Sequence, residues 1–294
     1  MATRENGPAG TDLLDQELSG LDQLETALPS RPRIAARIWS AAWPKLLAVA
    51  IALVAWQLIV WSGWKEEYVL PGPRRVWDSF TENFGTNMEA AWTTLQRGFR
   101  GFAFALVIGT IIGALVARNR VLRSAIGSMI TGLQTMPSVA WFPLAILLFK
   151  LDEGAIFFVV VLGAAPSIAN GLISGIDHIQ PILLRAGRVL GARRWRAFRY
   201  VILPAALPSF VAGLKQGWAF AWRSLLAGEL IVLIPGNFSL GQQLDANRQL
   251  ADSPGVIAVM IVILVIGILV DALLFGTAER WIRRRYGLVD AAAA

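Results

Sequence analysis

Six apolar stretches, each near the ~20 residues that a helix needs to cross a bilayer, dominate this 294-residue chain and leave little choice of fold. They cover roughly 46–63, 101–117, 124–149, 155–176, 202–234 and 256–278, and Pro137 and Pro143 interrupt the third. In hydrocarbon every backbone N–H and C=O must be satisfied within the segment, so such runs fold as helices. The fold class expected is an all-α membrane protein with six transmembrane helices. Charged residues make up only 16% of the chain, against about 25% in soluble domains, which excludes an ordinary soluble enzyme and a disordered chain. The single histidine, His178, and the lack of cysteine leave no His/Cys metal cluster and no Ser-His-Asp triad. The chain therefore reads as non-catalytic, with no metal or cofactor of its own.

The net charge of +7 is unevenly spread, because residues 1–30 carry one Arg against six acids while the other 264 residues carry +12. In a membrane protein such an excess belongs in cytoplasmic loops rather than on nucleic acid. With the N-terminus inside, 18 Lys and Arg fall in cytoplasmic segments and 7 in external ones. Both termini are expected in the cytoplasm of a multi-pass protein of the cell membrane. Residues 1–33 form an acidic tail in which Leu13, Leu14, Leu18, Leu21, Leu24 and Leu28 recur at helical spacing. The first 30 residues lack the basic region and apolar stretch of a signal peptide. Residues 34–98 hold the first span and an external interfacial segment, with a short helix expected in 70–84. Residues 99–280 hold the core, and 281–294 form a cytoplasmic tail.

Small residues four apart, at Gly109 and Gly113, Gly171 and Gly175, and Gly213 and Gly217, mark close helix contacts. Charges inside spans cost of order 3 kcal/mol each and need a partner or water. Arg223 beside Trp222 offers a bidentate clamp for an oxyanion, or else a structural pair with an acid such as Glu229. Those two lie six residues apart, about 600° of helix rotation, so they are poor partners within one helix. Asp271 is expected to balance a basic neighbour. Pro137, Trp141, Trp222, Arg223 and Glu229 are the candidates for a translocation pathway, since broken helices often line one.

Between the fourth and fifth spans lies a basic loop. Residues 182–190 alternate apolar and basic positions as an amphipathic helix, Gly191 breaks it, and a basic-aromatic segment leads to Pro204. A helix of this kind fits into a groove on a soluble subunit. Arg185-Ala186-Gly187, then Gly191, then Val201-Ile202-Leu203-Pro204 resemble the cytoplasmic signature of ABC importer permeases, with Arg185 standing where that family often has Glu. Met136-Pro137-Ser138-Val139-Ala140-Trp141-Phe142-Pro143-Leu144, Pro204-Ala205-Ala206-Leu207-Pro208, Gly228-Glu229-Leu230, Leu70-Pro71-Gly72-Pro73 and Leu95-Gln96-Arg97 narrow the resemblance to permeases for nitrate, taurine, aliphatic sulfonates and bicarbonate. It covers about residues 65–280.

The resemblance implies a type I importer permease fold, with a coupling helix between helices 4 and 5 inside the loop 177–203. It implies a dimer of this chain in the bilayer, two ATPase subunits that bind ATP and Mg, and an external solute-binding protein. Leu184, Arg185, Ala186, Gly187, Arg188, Leu190, Gly191, Ala192, Arg193 and Trp195 would contact the ATPase. None of the four Lys follows a Gly, so the chain has no P-loop and ATP hydrolysis falls to a partner. The substrate expected is a small oxyanion, sulfonate, nitrate or bicarbonate. The alternatives are a vitamin or pyrimidine-precursor permease, or a secondary transporter, for which internal repeats and intramembrane acids are wanting.

Overall fold

The computed structural model describes residues 34–286 except Pro235 and Asn237; the helix expected in the acidic tail lies outside them. The chain divides into two units at Ile59/Val60. α1 (Ile34–Trp61) makes up the described part of the first, with a single internal proline, Pro44.

In the second unit the chain turns through Gly72 into α2 (Pro73–Glu82). Its first residue is Pro73, whose fixed φ and missing N–H suit that position. α2 is strongly amphipathic, with Val76 buried and Trp77 exposed, as an interfacial helix requires. α3 (Phe84–Arg118) then runs unbroken for 35 residues, through the second apolar stretch and well beyond it.

The third apolar stretch is two helices rather than one. α4 (Arg120–Thr135) is capped by the Asn119 side chain, which accepts from the Val121 N–H at 2.9 Å. A 3-10 turn at Ser138–Trp141 leads to α5 (Phe142–Phe149), and the two halves are bent by 104°. Pro137 causes the break: it has no N–H to give, and it holds Met136 extended at φ −79°, ψ 127°. Pro143 does not break anything, because it sits in the first turn of α5. Five helices among the described residues are long and apolar enough to cross a bilayer, six when this bent pair is counted as one span.

α6 (Glu153–Asp177) is the centre of the bundle. α7 (Pro181–Val189) and a single turn, α8 (Trp195–Ala197), follow. A π segment at Phe198–Ile202 then feeds α9 (Leu203–Ile231). α10 (Leu240–Gln249) is a short polar helix between the fifth apolar stretch and the last. α11 (Ser253–Val270), a π segment at Asp271–Phe275 and α12 (Gly276–Arg285) complete the described residues.

Lipid tails are as apolar as leucine, so these helices associate through close packing rather than the hydrophobic effect. The glycines supply it. A Cβ on Gly171 would stand 2.6 Å from the Gly213 Cα, one on Gly175 2.6 Å from the Ala206 oxygen, and one on Gly109 2.7 Å from the Ala165 oxygen. α6 therefore touches α9 on one side and α3 on the other backbone to backbone. Phe142, Ile156, Val160, Ile168, Trp218 and Leu225 fill the space between them.

Candidate functional site

Two regions at opposite ends of the bundle, and one face between them, carry the chemistry. At the α7 end, α7 stops in a Schellman arrangement: the Ala192 N–H donates to the Gly187 oxygen at 2.8 Å, and the Gly191 N–H to the Arg188 oxygen at 3.1 Å. That closure needs a left-handed residue, and Gly191 supplies it at φ +78°. Gly187 is buried, because a Cβ there would stand 2.8 Å from a methyl of Val201. Both glycines of the signature thus have steric reasons. Around them Arg185, Ala186, Arg188, Leu190, Gly191, Arg193 and Trp195 are exposed, and Leu184 and Ala192 half-buried. Val189 and Leu190 are 88% and 85% exposed, and Ile182, Leu183 and Trp195 also face outward.

At the α10 end a buried polar cluster ties four helices together. Glu229, on α9, is wholly enclosed. Its Oε1 accepts from Arg97 Nη1 on α3 at 2.7 Å. Its Oε2 accepts from the Thr94 hydroxyl at 2.9 Å and the Gly241 N–H of α10 at 3.2 Å. Thr94 Oγ1 in turn accepts from the Leu240 N–H at 2.9 Å. Arg97 reaches Glu153 Oε1 at the start of α6 through Nη2 and Nε, at 3.0 and 3.2 Å. Beside it the Gln243 amide donates to Asn87 Oδ1 at 2.6 Å. Every polar atom facing Glu229 is a donor, which is what a buried carboxylate requires.

The position of Glu229 corrects its place among the pathway candidates. It presents no surface to a solute, and its partner is Arg97 of the same chain rather than Arg223. Trp222 is buried as well, at 8% exposure. Trp141 is half-buried against the core and Pro137 is exposed at the α4/α5 break.

Arg223 stands apart from this cluster. It is exposed, together with Ala212, Gln216 and Leu230. Spacings of four, seven and seven residues put these four on one face of α9, about 100° round the helix from the glycines that pack on α6. Among the described residues no carboxylate pairs with Arg223; its guanidinium lies over the Phe220 ring, 5.6 Å from the centroid. Further along α9, Lys215 Nζ meets Asp271 Oδ2 of the last span at 3.1 Å, the basic neighbour expected for that acid.

The family model of the binding-protein-dependent transport system inner membrane component matches residues 105–283. The chain belongs to this family. It is an ABC importer permease, a multi-pass transport component. It is 29% identical over 246 residues to a bicarbonate transport system permease of Synechococcus elongatus, covering 79% of this chain and 86% of that one. It is 27% identical over 237 residues to a nitrate import permease of Synechocystis, covering 76% and 84%. A putative aliphatic sulfonates transport permease of Bacillus subtilis is 29% identical over 233 residues, covering 78% and 83%. Among solved structures, a methionine ABC transporter matches with a TM-score of 0.54 at 22% identity over 67% of this chain and 94% of that chain. An amino acid ABC transporter matches with a TM-score of 0.53 at 21% identity, covering 70% and 97%. These two share the fold.

Proposed function

We propose that two copies of this permease meet through the exposed face of α9 and pass a small oxyanion of the sulfonate, nitrate or bicarbonate class between them. The observation that carries this reading is Arg223. An unpaired guanidinium facing lipid costs of order 3 kcal/mol, so the face that bears it belongs against water or a second copy. A guanidinium fork suits sulfonate, nitrate and bicarbonate alike. The named relatives carry members of the same class.

ATP-driven work enters at α7. Exposed apolar side chains among cytoplasmic arginines mark a docking surface rather than a solvated loop, and the occupant is an ABC ATPase carrying ATP and Mg2+. Both termini and α7 lie on the cytoplasmic side, following the excess of Arg there; the α10 end then faces an external solute-binding protein. Closure of the ATPases favours the outward-facing arrangement by binding it more tightly. The buried cluster holds α3, α6, α9 and α10 as one block at the outer end, so that the block moves as a unit.

The test is uptake by the assembled transporter in proteoliposomes with its binding protein. Arg223→Ala is expected to abolish uptake while the permease–ATPase complex remains intact, and Arg223→Lys to keep a fraction of it. Loss of assembly with Arg223→Ala would assign this residue a structural role instead.

A further inference from the structure

The exposed face of α9 is one wall of a groove whose other wall is the last span. A cavity of about 720 Å3 is lined by Ser209, Lys215, Gln216, Asp271, Glu279 and Arg283 among others. A second, of about 630 Å3, contains Arg223. Both touch Ala219 and Asp271, so they lie next to each other in the groove along α9, from Arg223 to Ser209, about 21 Å. It carries charge along its length. Among the described residues, Arg223 has no carboxylate partner, Arg283 is held by Glu279 at 3.0 Å, and Lys215 is held by the Asp271 carboxylate alone.

The Lys215–Asp271 pair differs in kind from the Arg97–Glu229 pair. Its side chains are 44% and 42% exposed to the groove, where those of Arg97 and Glu229 are 2% and 0%. A half-exposed ion pair is held weakly, and an ammonium carries three donors, of which Asp271 takes one. Asp271 also opens the π segment Asp271–Phe275, a form of helix frequent at functional sites.

Resting on the oxyanion reading of Arg223, we propose that Lys215 and Asp271 form a second anion-binding position, about 12 Å along α9 from Arg223, where the transported oxyanion displaces the Asp271 carboxylate from Lys215. The ligand class is a small monovalent oxyanion, since it replaces a single carboxylate. Asp271 returns to Lys215 as the anion leaves, and this keeps the stay short. Conduction through a narrow path demands such a balance: binding favourable enough to enter and weak enough to leave.

The chain has no cysteine, so Ser209→Cys places a single thiol in the groove. Its labelling is followed in the assembled complex in lipid nanodiscs, with an anionic (sulfonatoethyl) and a cationic (trimethylammonium-ethyl) methanethiosulfonate. With Lys215 and Asp271 intact, nitrate and methanesulfonate at tens of millimolar are expected to slow the anionic reagent at least threefold, and choline to leave it unchanged. Asp271→Asn is expected to raise the anionic-to-cationic rate ratio about tenfold, and Lys215→Gln to lower it about tenfold and to remove the protection. No protection by either anion in the Ser209→Cys chain overturns the proposal, whatever the variants do. Protection that survives Lys215→Gln overturns it too. Because the readout needs neither uptake nor Arg223, the proposal stands or falls separately: uptake that survives Arg223→Ala sinks the role of Arg223 and leaves this position to be judged by labelling alone.

Discussion

Glu229→Gln removes one charge and almost no volume, and is expected to destabilise the folded permease by about 3 kcal/mol. Three donors converge on the carboxylate: Arg97 Nη1 on one oxygen, the Thr94 hydroxyl and the Gly241 N–H on the other. A glutamine amide has one oxygen to offer them. Turned toward Arg97, it sets its NH2 against the Gly241 N–H; turned the other way, it sets NH2 against the guanidinium. Either way a buried donor is orphaned, at about 1–3 kcal/mol. Arg97, 2% exposed, also loses half of its charge balance. Breaking a buried pair from one side costs about 3–5 kcal/mol, and the remaining contact from Glu153 holds the loss near the lower end. The assay is equilibrium unfolding in mixed SDS micelles. A double-mutant cycle separates the pair from its surroundings, with Arg97→Met, Glu229→Leu and the two together. The double variant is expected to lose about 2 kcal/mol less than the sum of the singles, the coupling that contacting groups show. A loss below about 1 kcal/mol for Glu229→Gln, or strict additivity in the cycle, would refute the idea that this pair locks the α10 end of the bundle.

Three further outcomes follow from geometry. Gly213→Leu forces α9 away from α6, whose Gly171 Cα stands 2.6 Å from where its Cβ would sit; a loss of about 3 kcal/mol in the same assay is expected, and less than 0.5 would contradict the crossing. Gly241→Ala drives a methyl into the Glu229 Cβ and is expected to cost about 1–3 kcal/mol, with α10 the first element to exchange its amide protons. Gly191→Val, at φ +78°, adds about 1–2 kcal/mol of backbone strain and opens the turn after α7; recovery of the ATPase in pull-downs is expected to fall at least tenfold, with the permease itself still folded.

Much of this arrangement is legible in one sequence because it rests on local patterns. The apolar runs name the spans, residues 182–190 name α7 (Pro181–Val189) almost to the residue, and the paired glycines name the helix crossings. Each of these signals lies within a few residues of the structure it produces. The bend at Pro137 was readable as a break but not as an angle of 104°, since the angle is set by what α5 packs on. α10 was missed for the opposite reason. Its sequence, LGQQLDANRQ, has only Leu240 and Leu244 to pack against the bundle, and its polar contacts go to Thr94, Glu229 and Asn87, more than a hundred residues away for two of them.

The choice of partner for Glu229 shows where reading from local pattern stops. A carboxylate inside an apolar span announces that a partner exists, and rotation makes Arg223 a poor partner within one helix, yet neither fact selects Arg97, 132 residues away. One signal was present: Thr94 and Arg97 are spaced i, i+3, on one face of a helix, at the polar edge of the second apolar stretch, and their motif and that of Glu229 both belong to the resemblance. Two separated polar motifs in a chain this apolar have few places to go. Each lowers the cost of burying the other. Lys215 and Asp271 follow the same rule with a different result, because their meeting point is open to a groove, and an ion pair beside open space is free to exchange.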